Sequence, residues 1–244
     1  MNIVGIIPAR YASGRLPGKP LADIGGKPMV WWVHRQAAQV QQLRRVVVAT
    51  DDDRVMDACR ALSLPAVMTP ADCPTHLDRL WHASQQVKAD FYIGVNGDEP
   101  LMEPDCIRAL LPPPDADPAG FYAANAMAPL TDPAALVDTS NGKVVTDTAG
   151  YALYIARSPI PYPQGRGAAV YRKFVGVQCF SKPALDFAAR TPRGPLEAAE
   201  DCDEFRFIEN GGKLKFILTR SESFSVDTLR DLARVRAILA PGHE

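Results

Sequence analysis

Apolar runs and amphipathic stretches alternate along the first 110 residues. The apolar runs, which predict strands buried on both faces, lie at 2–7, 46–48 and 91–95, with a shorter one at 65–69. The amphipathic stretches, which predict helices, lie at 28–42, 52–62, 78–87 and 103–111. Such alternation predicts βαβ units, and therefore an α/β fold whose mainly parallel sheet is flanked by helices.

The second half has a different pattern, with strand-like segments joined by short turns. These segments lie at 121–130, 142–147, 151–161 and 173–180. They predict a smaller, antiparallel, β-rich lobe over about 120–190, within a single domain spanning 1–244. A helix at 197–209, a strand at 213–219 and a final helix at 228–239 complete the prediction. Thr228 and Asp231 have capping-box spacing at the start of that last helix.

Composition narrows the function classes. The chain has 244 residues, 47% of them hydrophobic, and a formal net charge of -1. A chain without a basic field is not expected to bind nucleic acid. No stretch reaches transmembrane length, so no membrane partner is expected. Five scattered cysteines suit a reducing compartment and predict a cytoplasmic protein.

A basic loop follows the first strand. Residues 6–21 read IIPARYASGRLPGKPL and place Arg10, Arg15 and Lys19 among glycines and prolines. Arginine offers a planar fork of donors to phosphate oxygens, and lysine offers a compact charge. The loop matches neither GxGxxG nor GxxxxGK[ST]. It is either a clamp for a triphosphate or an ordinary solvated loop, and the loop alone leaves both open.

Two acidic motifs fall at the ends of predicted elements. Asp98 lies in NGDEP after the strand predicted at 91–95, and Asp227 lies in SVDT before the last helix. Magnesium prefers one or two carboxylates together with substrate phosphates. Each acid has a plainer interpretation as a helix N-terminal cap, and so has Glu99. Because ligands bind beyond the carboxyl ends of parallel strands, the basic loop and NGDEP are expected to converge.

Taken together, five motifs resemble the CMP-Kdo synthetases, the 3-deoxy-manno-octulosonate cytidylyltransferases. In chain order they are IIPARYASGRLPGKPLADIGGKPM, VVVATDDD, VNGDEP, GYALYIARSPIP and SVDTLRDLARVR. The resemblance covers nearly the whole chain and implies a Rossmann-like fold of the nucleotidyltransferase type. It also implies transfer of CMP from CTP to a hydroxyl of an acidic acceptor, with release of pyrophosphate, by a homodimer joined through the β-rich lobe.

The resemblance assigns roles to residues of this chain. It implies that Arg10, Arg15 and Lys19 hold the triphosphate and that Asp98 and Asp227 hold Mg²⁺. Arg10, Lys19 and the two acids form the catalytic set. The nucleoside-binding residues that it implies are Pro8, Ala9, Arg10, Thr75 and Asn96. The acceptor-binding residues that it implies are His76, Asn96, Arg157, Gln178 and Glu204.

The acceptor residues depart from the family pattern. Thr75, His76 and Leu77 stand where the family has Ser-Gly-Thr, Gln178 replaces a tyrosine, and Glu204 replaces a neutral glutamine. A carboxylate near an anionic acceptor is unfavourable unless the acceptor differs or a cation intervenes. We therefore favour a non-Kdo acceptor, either a modified ulosonic acid or a small phosphonate. A genuine CMP-Kdo synthetase is the alternative.

Two further alternatives stay open. The first is a relative that binds nucleotide without transferring it and serves as a sensor or partner subunit. The second is a transferase that uses another nucleotide such as UTP. An enzyme is favoured because the basic loop, Asp98 and Asp227 are all present. The altered loop at 70–77 is the feature that leaves open the hypothesis of a protein that binds nucleotide without catalysis.

Overall fold

The computed structural model describes residues 1–12, 14–165, 169–220 and 224–239. Ser13 of the basic loop and residues 166–168 of the predicted lobe lie outside them. Nine strands form one mixed sheet: β1 (Ile3–Pro8), β4 (Leu43–Thr50), β5 (Ala66–Met68), β6 (Phe91–Val95), β7 (Ala123–Pro129), β8 (Lys143–Thr146), β9 (Ala152–Ala156), β10 (Arg172–Ser181) and β11 (Lys215–Leu218). A two-stranded ribbon consists of β2 (Asp23–Ile24) and β3 (Lys27–Pro28).

The main sheet has the order β11-β7-β10-β6-β1-β4-β5. Strands β6, β1, β4 and β5 are parallel, and β11 is parallel to β7. The predicted Rossmann-like, mainly parallel sheet flanked by helices is therefore confirmed. Strand β10 is antiparallel to both β6 and β7 and joins the two parallel parts.

The predicted lobe is partly merged with the main sheet. Strands β7 and β10 lie within that sheet, while β8 and β9 form an antiparallel pair that attaches to β10 by a single register pair. The reason is the apolar character of β7 and β10, which are buried on both faces for most of their length. Only β8, β9 and their connections project as a separate β-rich part.

The helices cover both faces of the sheet. They are α1 (Met29–Ala37), α2 (Asp53–Ala61), α3 (His76–Gln86), α4 (Pro104–Ala109), α5 (Pro133–Val137), α6 (Lys182–Arg190), α7 (Pro195–Glu200), α8 (Phe205–Ile208) and α9 (Leu229–Ile238). One apolar cluster packs α1, α2 and α4 against one face, and another packs α3, α6 and α8 against the opposite face. In the described part of the chain, every helix is too short or too polar to span a bilayer.

A third, smaller cluster joins the segment that follows β1 to the last helix. Leu16 of the basic loop and Met29 of α1 pack with Val226 and with Leu232 and Val235 of α9. The capping box predicted for α9 is present, because Thr228 and Asp231 each bond the other's backbone N–H. The last helix is thereby held against the loop that follows β1, and this contact places Asp227 beside that loop.

Candidate functional site

The loop after β1 is shaped by one glycine. Gly18 has φ +69°, and a Cβ there would lie 3.2 Å from the ring of Tyr11. Its N–H also donates to the Tyr11 carbonyl. The positive φ and the short contact with the Tyr11 ring both disfavour a residue with a side chain at this position. The turn at Gly18 is followed directly by a 3₁₀ turn at Lys19–Leu21, and Lys19 is the first residue of that turn.

The NGDEP loop is held close to β1 by a second glycine. A Cβ on Gly97 would lie 2.5 Å from the carbonyl oxygen of Pro8. Glu99 is buried, and its Oε1 accepts from the N–H of Gly176 in β10. Burial, reinforced by neighbouring Asp98, raises the pKa of Glu99 to about 8. Glu99 therefore supports this loop from the protein interior, whereas the half-buried Asp98 is the acid of the motif that lines the cavity.

Asp98 and Asp227 converge on one ammonium group. Lys19 Nζ donates to Asp98 Oδ2 at 2.8 Å and to Asp227 Oδ1 at 2.9 Å. Arg15 Nη2 lies 3.0 Å from the same Asp227 oxygen. The two loops are joined by a backbone bond from Val226 N–H to the Asp98 carbonyl. Although burial opposes it, the paired carboxylates raise the pKa of Lys19, so the ammonium stays charged.

The capping interpretation of these acids does not hold in the structure. Helix α4 has Glu103 at its N-cap position without a side-chain cap, and Thr228 caps α9. The carboxylates of Asp98 and Asp227 face Lys19 instead. The arrangement presents two carboxylates and two cations at the carboxyl ends of parallel strands, where the sequence predicted convergence.

A cavity of about 450 Å³ opens at this rim. With the exception of Arg157, Gln178 and Glu204, the predicted site residues line it. The lining members are Pro8, Ala9, Arg10, Arg15, Lys19, Thr75, His76, Asn96, Asp98 and Asp227. The basic loop, the NGDEP loop, the start of α3 and the segment before α9 thus contribute to one site.

The three exceptions are placed elsewhere. The Arg157 guanidinium donates to the backbone carbonyls of residues 139, 140, 200 and 201, which ties β9 to α7. Gln178 is fully buried under α3, where its Oε1 and Leu80 crowd the position of a Gly94 Cβ. Glu204 is 2% exposed and lies behind His76. Direct acceptor contacts by these three side chains stay a prediction.

His76 connects the cavity wall to a buried acidic pair. Its Nδ1 lies 2.9 Å from Asp203 Oδ2, which also accepts from the Leu77 N–H. Its Nε2 lies 3.8 Å from Glu204 Oε1. Burial alone would lower the pKa of His76, but the two carboxylates outweigh it and raise that pKa to about 9. Burial and Asp203 raise the pKa of Glu204 to about 7, whereas His76 helps to hold that of Asp203 below its usual range.

Sequence reasoning missed two buried arginines that shape the same wall. Arg79 of α3 lines the cavity and donates to Asp51 Oδ2 at 2.8 Å. Arg206 of α8 donates to Asp78 at 2.6 Å and, through two nitrogens, to the fully buried Glu197. The sequence did hold a signal for Arg79. It lies in the first turn of the helix that begins at the altered loop, so it lies close to that loop.

The fold and this cavity define the class of nucleotidyltransferases, enzymes that carry a phosphate-binding loop and acidic residues at the rim of such a sheet. Within that class, the chain belongs to the cytidylyltransferase family, whose sequence model matches residues 4–221. The predicted resemblance to the CMP-Kdo synthetases is confirmed by relatives that match over nearly their full length.

Two such relatives are named 3-deoxy-manno-octulosonate cytidylyltransferase. That of Chloroherpeton thalassium is 38% identical over 244 residues, covering 98% of both chains. That of Escherichia coli is 40% identical over 235 residues, covering 96% of this chain and 95% of its own. These relatives favour the alternative of a genuine CMP-Kdo synthetase, and they do not support our preference for a non-Kdo acceptor.

Solved structures agree with these sequence matches. CMP:2-keto-3-deoxy-manno-octonic acid synthetase complexed with CTP superposes with a TM-score of 0.90 at 38% identity, covering 98% of this chain and 99% of that one. HddC from Yersinia pseudotuberculosis superposes with a TM-score of 0.65 at 15% identity, over 97% and 99% of the two chains. The second match concerns the fold alone.

Proposed function

We propose that this chain is a CMP-Kdo synthetase. It transfers CMP from CTP to a hydroxyl of 3-deoxy-manno-octulosonate and releases pyrophosphate. The observation that carries the proposal is the joint placement of Arg15, Lys19, Asp98 and Asp227 at one cavity rim. The matching synthetase structure was obtained with CTP, which supports CTP as the nucleotide.

Each group has a chemical task in this reaction. Arg10 and Arg15 are exposed at the cavity and offer guanidinium donors to the triphosphate. Lys19 is held by two carboxylates, so its charge is positioned before substrate arrives. Stabilising the charge that develops on a transferring phosphoryl group in this way accelerates the reaction. Pro8, Ala9, Thr75 and Asn96 line the part of the cavity left for the nucleoside and acceptor.

The acidic pair fits Mg²⁺. Asp98 Oδ2 and Asp227 Oδ1 both point at the Lys19 ammonium, so two hard oxygen donors already face one point beside the triphosphate loop. We propose that these two residues hold the ion. The chemistry that Mg²⁺ supplies when bound is neutralisation of triphosphate charge. With the two acids holding the ion, the Lys19 ammonium would serve the phosphate oxygens of the nucleotide.

The test is pyrophosphate release with CTP, Kdo and Mg²⁺. We expect release in the wild type, and its loss in Asp98→Asn and Asp227→Asn. Asp105→Asn is the matched control, because Asp105 lies on α4 with its side chain 84% exposed. Normal turnover in either site variant would refute the metal assignment. Release with a modified ulosonic acid or a small phosphonate but not with Kdo would refute the acceptor.

Two further parts of the proposal have their own assays. UTP in place of CTP tests base selectivity, and we expect CTP to be preferred. Nucleotide binding without pyrophosphate release, under every acceptor tried, would instead favour a non-catalytic nucleotide-binding protein.

Homodimerisation through residues 120–190 also belongs to the proposal. Val137, Leu153 and Tyr162 are large apolar residues in this region and are 66%, 57% and 80% exposed. Exposed apolar groups of this kind are typical of interfaces. We expect light scattering to give the mass of a dimer, and Leu153→Arg to shift it toward the monomer. A monomeric wild type would refute this part alone.

A further inference from the structure

A second group of potential metal ligands lies where the start of α3 and the segment before α8 meet at the cavity wall. His76, Asp203 and Glu204 each offer one ligand atom, and these atoms lie within 4.8 Å of one another. Asp203 and Glu204 are 7% and 2% exposed, while the His76 side chain is a quarter exposed. The set combines an imidazole and two carboxylates, which are ligands found in zinc sites.

Two atoms of this group lack partners. His76 Nε2 and Glu204 Oε1 are both buried, and neither has a hydrogen-bond partner in the described part of the protein. They face each other at 3.8 Å, a separation too long for a hydrogen bond. Buried polar atoms without partners are costly and call for an explanation such as an ion or water. A cation between them satisfies both.

Asp203 orients the imidazole ring of His76. Asp203 Oδ2 lies 2.9 Å from His76 Nδ1 and is fixed in turn by the Leu77 N–H. A carboxylate on one ring nitrogen aims the other nitrogen and raises its basicity, as is common for metal-bound histidines. Glu204 is fixed as well, because its Oε2 accepts from the Cys202 thiol at 3.0 Å. The ring and the carboxylate are therefore held with their open atoms facing each other.

We propose that His76 Nε2 and Glu204 Oε1, with Asp203 orienting the imidazole, form a binding site for a borderline divalent metal ion such as Zn²⁺, separate from the Asp98–Asp227 pair. The imidazole nitrogen favours Zn²⁺ over Mg²⁺. Tetrahedral Zn²⁺ at about 2.0–2.2 Å from each ligand atom requires His76 Nε2 and Glu204 Oε1 to approach from 3.8 Å to roughly 3.4 Å. His76 and Asp203 both line the cavity, so the proposed site borders it.

The consequence concerns the cavity wall. Metal binding requires a deprotonated His76 Nε2, so any proton on that nitrogen is released to water when the metal binds. A divalent ion adds positive charge beside the two buried acids, so it makes the wall less negative toward an anionic acceptor. It also joins the first turn of α3 to the segment before α8, which fixes the two sides of the wall relative to each other.

The experiment measures Zn²⁺ and Co²⁺ binding to the full chain after metals are removed with a chelator. Competition with a chromophoric chelator gives the Zn²⁺ affinity, and visible d–d absorption reports the Co²⁺ ligand geometry. We expect one tight site per chain. Asp203→Asn should weaken it about 10–100-fold, as for an orienting partner, and His76→Ala and Glu204→Gln at least as much.

The controls separate this site from the others. His82→Ala removes another histidine of α3 and should leave the affinity unchanged, as should Asp98→Asn. Circular dichroism checks that each variant is folded. If His76→Ala does not fold, the nearly isosteric Glu204→Gln provides the test of the site. Equal Zn²⁺ affinity in the wild type, His76→Ala and Glu204→Gln overturns the proposal. So does binding that is lost in Asp98→Asn alone, because the ion then lies at the acidic pair. These readouts do not depend on the proposed reaction.

Discussion

Gly97→Ala tests whether the close approach of the NGDEP loop to β1 sets the geometry of the site. The added Cβ would lie 2.5 Å from the Pro8 carbonyl oxygen, and real Cβ atoms essentially never come closer than 3.0 Å. The loop must therefore move by about 0.5 Å, because the obstacle is backbone that cannot rotate away. That movement displaces Asp98, whose carboxylate is paired with Lys19 at 2.8 Å.

The expected magnitude follows from the displacement. A misplacement of about 1 Å in an active site can cost roughly 10²-fold in rate. For a shift of half that size we expect a loss in kcat/KM for CTP of about 10-fold and at most about 100-fold. Overpacking of this kind typically costs roughly 1–3 kcal/mol of folding stability, so the protein is expected to remain folded.

The assay is CTP- and Kdo-dependent pyrophosphate release, run beside thermal unfolding. Gly14→Ala is the matched control, since Gly14 also lines the cavity but an added Cβ meets nothing within 4 Å. We expect that variant to keep wild-type activity. Full activity in Gly97→Ala would refute the reasoning, and so would equal damage in the two variants.

Three more predictions address other parts of the site. Lys19→Ala should lower kcat about 10²–10³-fold through lost charge stabilisation, and a near-normal rate would contradict its catalytic role. Arg206→Ala leaves buried Glu197 without its bidentate partner and should reduce the free energy of unfolding by about 3–5 kcal/mol in denaturant titration, whereas exposed Arg44→Ala should change it little. His76, whose pKa is raised to about 9, binds its proton more tightly when folded, so its contribution is complete below about pH 6.5 and is lost as pH rises through 9. The stability difference between the wild type and His76→Ala, measured in EDTA, should therefore shrink over that range, and a constant difference would contradict the assignment.

Local sequence pattern predicted the parallel part of the sheet well. The runs that became β1, β4 and β6 are apolar and rich in β-branched residues. A proline ends the first, acids follow the second and a glycine and acids follow the third, so the apolar pattern and the residues that end each strand agree. The predicted helix at 197–209 is instead two short helices, because Asp201 adopts a left-handed conformation with φ 48° between them. An aspartate gives little warning of such a break, whereas a glycine would have.

Pairing between distant segments was the part that local pattern could not supply. Nothing in the sequence of β10 specifies that it pairs with β6 on one side and with β7 on the other. The same limit applies to the site. Acids at strand ends were located correctly, but the direction of the Arg157, Gln178 and Glu204 side chains depends on contacts with α7 and α3. Those contacts exist only after the chain has folded.

The Lys19 bridge has a consequence for which form of the nucleotide the site accepts. A free divalent cation must displace an ammonium that would then lack a counterion, while a free triphosphate competes with carboxylates for cations that are already engaged. A ligand that brings both signs of charge at once exchanges partners with every group and leaves none uncompensated. If the proposed metal and triphosphate assignments hold, we therefore expect the resting ion pairs to favour the metal chelate of the nucleotide over either component alone.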